Sequence, residues 1–136
     1  MEITTYIVTL EIETRCLPLH ELSSTIGIEG NPNSVDGGEG FIWENGVAKP
    51  QPTVWKIESD ASPEDELGQH LESVAEQIKG INLSQINLPS DADICLEVGI
   101  FFQTAMCGFN LPVEWMQFFA ENNIRVSVSC YPCSDD

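Results

Sequence analysis

From Tyr6 to Glu13 the chain alternates. Tyr6, Val8, Leu10 and Ile12 fall on one side, with Thr5, Thr9, Glu11 and Glu13 on the other. A period of two predicts a strand with one face buried and one face wet. The period then lengthens: Leu19, Leu22 and Ile26 recur at helical spacing behind Pro18, and Gly27 follows. Proline suits a first helical turn and glycine a left-handed cap, so a short helix ending at Ile28 is expected. The same succession returns late. Ile94, Leu96, Val98, Ile100 and Phe102 alternate, and Pro112 to Glu121 reads as a helix closed by Asn122-Asn123. Ile124, Val126, Val128 and Cys130 then alternate against Arg125, Ser127, Ser129 and Tyr131.

Between these two passages, residues 29–51 carry no apolar period and are rich in turn residues. Asn45-Gly46 can close a small hairpin between "FIWE" and "VAK". "TVWKIES" (Thr53 to Ser59) reads as a strand with Trp55 and Ile57 inward. The next helix is expected to open with Ser62 as its N-cap, Pro63 at the first position and Asp65 at the third. Leu67, Leu71, Val74 and Ile78 form its apolar stripe, and Lys79-Gly80 stops it.

"LPLHELSSTIGI" and "LPVEWMQFFAENNI" thus share an opening, a helix and a following strand. Convergent use of proline at two helix starts competes with an internal duplication as the explanation. The predicted fold is α+β: a two-layer ferredoxin-like sandwich in which two βαβ halves are joined by a helix. Its sheet should be largely antiparallel, with one face covered by helices, and residues 1–136 should form one domain.

An apolar fraction of 42% supports an ordinary core. The charge changes the picture more. Twenty-two acidic residues face five basic ones, a net charge of −17. Such a field repels phosphate backbones and anionic membranes and attracts basic proteins, which argues against nucleic acid and membrane as ligands. The start "MEITTYIVTL" has no basic and apolar leader pattern, and no apolar run reaches the ~18 residues of a membrane span. Five cysteines cannot all pair within one chain, which with the missing leader favours reduced thiols and a cytoplasmic location.

Candidate chemistry is sparse. Cys130 and Cys133 have C-x-x-C spacing, but a tetrahedral zinc site needs four ligands, and only Cys16 with His20 offers a second pair. Asp91-Ala-Asp93 precedes a strand and is read as a solvated pair. "DGGEG" lacks the lysine and helix of a phosphate loop. Neither His20 nor His70 stands in catalytic spacing, and His70 is read as a boundary or solvent residue. No catalytic residue, metal or cofactor is assigned, and the chain reads as a binding protein rather than an enzyme.

Two surfaces suggest binding. Asp65, Gln69, Glu72 and Glu76 are expected along the outer face of the joining helix, with Glu58 and Asp60 just upstream. A solvated charged face is the ordinary explanation of such a stripe, and the functional alternative is a docking stripe for a basic partner. Trp115, Met116, Phe118 and Phe119 cover too wide an arc for one buried stripe, so Trp115 is a candidate anchor, with Phe41 and Trp43 in the long loop as the substitute. A runner-up reading uses the open sheet face around Glu11, Lys56, Glu97 and Phe101 as a ligand-sensing or assembly surface.

The first strand, the helix ending "TIGI", the variable loop, the strand "TVWKIES", the amphipathic helix after it and the close "VSCYP" form one pattern. It resembles a family of small bacterial cytosolic proteins known only as a domain of unknown function. The resemblance brings no catalytic or ligand residues. Small acidic families of this kind look like immunity proteins encoded beside bacterial toxins. That likeness implies an inhibitor that occludes a cognate toxin's active site; it does not fix the partner's identity or the oligomeric state.

Overall fold

The computed structural model describes residues 4–37, 41–103 and 109–133. The first alternating run is strand β1 (Thr4–Thr14), with Val8, Leu10 and Ile12 buried. Helix α1 (Leu19–Ile26) follows, with Pro18 at its N-cap and Gly27 at φ 93° ending it two residues before the expected Ile28. Strands β2 (Phe41–Glu44) and β3 (Val47–Pro50) form the hairpin. Asn45 at φ 51° and Gly46 at φ 79° give the turn the two positive φ values that a tight hairpin loop requires. Then come β4 (Thr53–Glu58), α2 (Leu67–Gln77), β5 (Asp93–Phe102), α3 (Val113–Glu121) and β6 (Arg125–Pro132).

Helix α2 starts later than its sequence suggests. Ser62 and Asp65 close a separate turn, in which the Ser62 amide donates to Asp65 Oδ2 at 2.9 Å. The helix is capped instead by Glu66 and Gln69, whose side chains take each other's backbone amides in a reciprocal box. Glutamate at an N-cap is a weak textual signal beside Ser-Pro, so the turn masqueraded as the helix start.

The main sheet has the order β4-β1-β5-β6, and the hairpin is a second sheet of two strands. Among the described residues, three helices and a mixed four-stranded sheet make the fold α+β. The two strand–helix–strand passages are not alike in sense, which corrects the expectation of two like βαβ halves in a ferredoxin-like sandwich. β1 and β4 are antiparallel neighbours, with Thr14 opposite Thr53. β5 and β6 are parallel neighbours, with Cys95 opposite Arg125.

The connection after each helix decides this. After α1 the chain climbs back along β4: the Asn31 amide donates to the Lys56 carbonyl at 2.7 Å, Val35 bridges Val54, and the Gly37 amide reaches Thr53 Oγ1 at 3.1 Å. A Cβ on Gly37 would lie 2.1 Å from the Gln51 carbonyl oxygen, so that close passage needs glycine. β4 therefore begins where β1 ended. After α3 only residues 122–124 intervene, and β6 begins beside the start of β5.

The core lies between one sheet face and the helices. Val8, Leu10, Ile12, Trp55, Ile57, Leu96, Val98 and Ile100 meet Leu22, Ile26, Leu71, Val74, Ile78 and Phe119. Each such side chain contributes about 1.5–3 kcal/mol on burial. Trp55 is fully buried, and its indole N–H donates to the Ile28 carbonyl at 3.0 Å. The opposite face, carrying Ile7, Thr9, Glu11, Lys56, Glu97, Gly99 and Phe101, has no helix packed against it among the described residues. No helix among the described residues is long and apolar enough to cross a membrane.

Candidate binding surfaces

The hairpin is tied to the body by Arg15, just beyond the end of β1. Arg15 donates to the Pro50 carbonyl at 2.6 Å and to Glu44 at 3.3 Å, and Lys49 pairs with the other Glu44 oxygen at 3.2 Å. These partners hold the Glu44 carboxyl below the usual range, the lysine contributing most. Register places Phe41 opposite Pro50 and Trp43 opposite Ala48, on the hairpin face that does not carry Glu44 and Lys49. Phe41 is 68% exposed and Trp43 75%. A phenylalanine and a tryptophan side by side in water are an unusual expense, and such residues dominate binding hot spots.

Trp115 is different. It is half-buried and packs on Phe118 and Phe119, with ring centroids 5.8 and 6.1 Å away. Its role is packing of α3 on the core, and the large exposed apolar side chains of that helix are Val113 and Met116.

The acidic residues do not make one stripe. Glu72 and Glu76 are exposed one turn apart on α2, with Lys79 3.9 Å from Glu76. Asp65 lies before the helix and is engaged by the Ser62 amide. Glu58 and Asp60 are exposed where β4 runs out beside α2; Gln77 donates to the Glu58 carbonyl, and the Asp60 amide donates to Ser73 Oγ.

On the open face, Ile7, Thr9, Glu97, Gly99, Phe101, Ser129 and Tyr131 line a shallow groove of ≈ 220 Å³. Phe101 and Tyr131 stack across neighbouring strands at 4.9 Å and 18°. Glu11 and Lys56, opposite each other on β1 and β4, form an ion pair at 3.5 Å. Cys95 is buried, and its thiol is 3.5 Å from Glu97 Oε1. Burial, and then the Glu97 charge, push that thiol up to about 11. Gly99 and Ser129 mark the groove in the sequence only as small residues in strands, which is too common a signal to point to one.

The other candidates resolve into structural roles. Among the described residues no three His, Cys, Asp or Glu side chains are placed to hold a metal ion. Cys16 follows the end of β1, whereas the Cys133 amide bonds to Phe102, opposite Thr4 at the other end of the sheet. Cys107 and residues 38–40 of the glycine-rich stretch lie outside the described residues. Asp91 is more than a solvated residue: it accepts from Thr14 Oγ1 and the Arg15 amide. Asp93 pairs with Arg125 at 2.8 Å. His70 is neither boundary nor solvent. It is 2% exposed, packs on the Tyr6 ring, and its Nδ1 lies 2.8 Å from Ser59 Oγ. It sits one step from Leu71 on the buried stripe, and a wide apolar stripe takes in that flanking position.

The chain belongs to the family of the domain of unknown function DUF4279, whose model matches residues 3–132. That membership bears out the resemblance to a domain of unknown function drawn from the apolar pattern. No curated protein and no solved structure matches the chain.

Proposed function

We propose that this protein is a cytoplasmic binding protein of the immunity type, an inhibitor that neutralises a basic bacterial toxin by covering its active site. The observation that carries the reading is the hairpin, which holds Phe41 and Trp43 at 68% and 75% exposure on one face while Arg15 fixes its other edge. An inhibitor must hold tightly, and nanomolar affinity, about −12 kcal/mol, needs a buried anchor besides charge. The aromatic pair supplies the anchor. The net charge of −17 supplies the steering, which raises association rates about 10–10³-fold for a basic partner. Glu72, Glu76, Glu58 and Asp60 stand exposed to contribute to it.

Co-expression with the product of the adjacent reading frame tests the reading. The product should be toxic alone and harmless with this protein, and the two should co-purify at low salt. Trp43→Ala and Phe41→Ala should each weaken the complex at least about tenfold. A neighbour that is harmless alone and fails to co-purify would overturn it.

A further inference from the structure

We propose that the open-face groove seats an arginine side chain of the basic partner, with its guanidinium on Glu97 and its stem along Ile7, Gly99 and the Phe101–Tyr131 pair; the source of that arginine rests on the partner-binding reading above.

The charges of this face leave one carboxylate able to take a further cation. Its two flanking cations are already engaged, Lys56 with Glu11 and Arg125 with Asp93. Glu97 is half-buried and has no ion pair among the described residues. Its neighbour there is the Cys95 thiol, which at about 11 stays protonated at neutral pH and lends a weak hydrogen bond without cancelling the charge. Arg125 is close enough for Glu97 to act on its charge but makes its ion pair with Asp93, so an incoming cation would give this half-buried carboxylate its first direct partner.

The shape narrows the choice. At ≈ 220 Å³ the groove is below the ~300–1,000 Å³ of drug-sized pockets and fits one extended side chain. Arginine suits it better than lysine. Its planar fork meets a carboxylate with two N–H groups, it packs against aromatic rings, and it sheds water more readily. The hydroxyls of Thr9 and Ser129 can accept its remaining N–H groups. Gly99 leaves the floor open: a Cβ there would meet Phe101 Cε2 at 3.4 Å and Tyr131 Cε2 at 3.8 Å, ordinary contacts that a larger side chain would turn into a plug.

The test is an NMR titration of the full ¹⁵N-labelled chain with N-acetyl-arginine amide, with the lysine and the uncharged citrulline analogues alongside. The arginine probe should shift the amides of Glu97, Gly99 and Ser129 with a Kd on the order of 1–10 mM, and citrulline should not. Glu97→Gln should weaken the probe at least about tenfold, the loss of one charge-assisted pair. Gly99→Val, which suits a strand and blocks the floor, should abolish binding with the spectrum otherwise folded. Unmoved groove amides at about 50 mM, citrulline or lysine binding as well as arginine, or a Glu97→Gln protein that binds as before would each overturn the site. The probe titration needs no partner protein and the co-expression test needs no probe, so failure of the groove and failure of the partner reading are told apart.

Discussion

Asp91, two residues before β5, accepts the hydroxyl hydrogen of Thr14 at the end of β1, with 2.5 Å between the oxygens. The Arg15 amide adds a second donor at 2.8 Å. One carboxylate thereby ties the ends of two neighbouring strands that lie 77 residues apart.

A pH dependence follows from that tie. Burial pushes the Asp91 carboxyl up, but the donors Thr14, Arg15 and Cys16 outweigh it and hold the group below its ordinary value. A carboxylate depressed in the folded chain contributes stability above its unfolded pKa and loses it as pH falls through the folded pKa. Asp91→Asn should lower stability at pH 7 by about 1 kcal/mol, a figure kept small by solvent exposure. The difference from the wild type should shrink in urea melts below about pH 4, the unperturbed Asp range.

The His70–Ser59 pair should couple strongly. His70 Nε2 is buried with no hydrogen-bond partner among the described residues, so Ser59 carries the ring's polar requirement through Nδ1. Ser59→Ala leaves a second ring nitrogen without a partner and should cost about 1–3 kcal/mol. In a His70→Phe background the same change should cost clearly less. A double-mutant cycle with no coupling would show that the hydrogen bond contributes nothing to stability.

The hairpin aromatics should separate binding from folding. Trp43→Ala and Phe41→Ala remove exposed side chains and should shift stability by no more than about 0.5 kcal/mol. Their effect belongs in the dissociation rate of the complex. Trp115→Ala should do the reverse, costing about 2 kcal/mol or more of stability because its ring packs against Phe118 and Phe119. Thermal melts beside surface-plasmon kinetics distinguish the two classes.

Charge reversal at Glu72 and Glu76 should act on encounter alone. Both side chains are exposed on α2, and neither carboxylate caps a helix or closes a turn, although that of Glu76 lies 3.9 Å from the exposed Lys79. The double Lys variant should slow association and flatten its salt dependence while leaving dissociation within about twofold, as rim charges do. Asp65 is unsuitable for this test, because removing its carboxylate also opens the turn at Ser62.

Local physics was legible in the sequence. Alternation at Val8, Leu10 and Ile12, helical spacing at Leu22 and Ile26, and Asn45-Gly46 each identify an element from a few adjacent residues, because backbone period and turn sterics are local. The aromatic candidates Phe41 and Trp43 were legible too, as residue types. Their exposure was not, because burial depends on which way a hairpin is held, and Arg15 decides that from beyond the end of β1. Strand sense belonged to the tertiary structure for the same reason. Two passages with the same opening diverge only when Asn31, Val35 and Gly37 find partners on β4, and no local pattern encodes a partner so far along the chain. The groove is the extreme case. Ile7, Glu97, Gly99, Ser129 and Tyr131 come from three strands and line one groove only when the register sets them side by side.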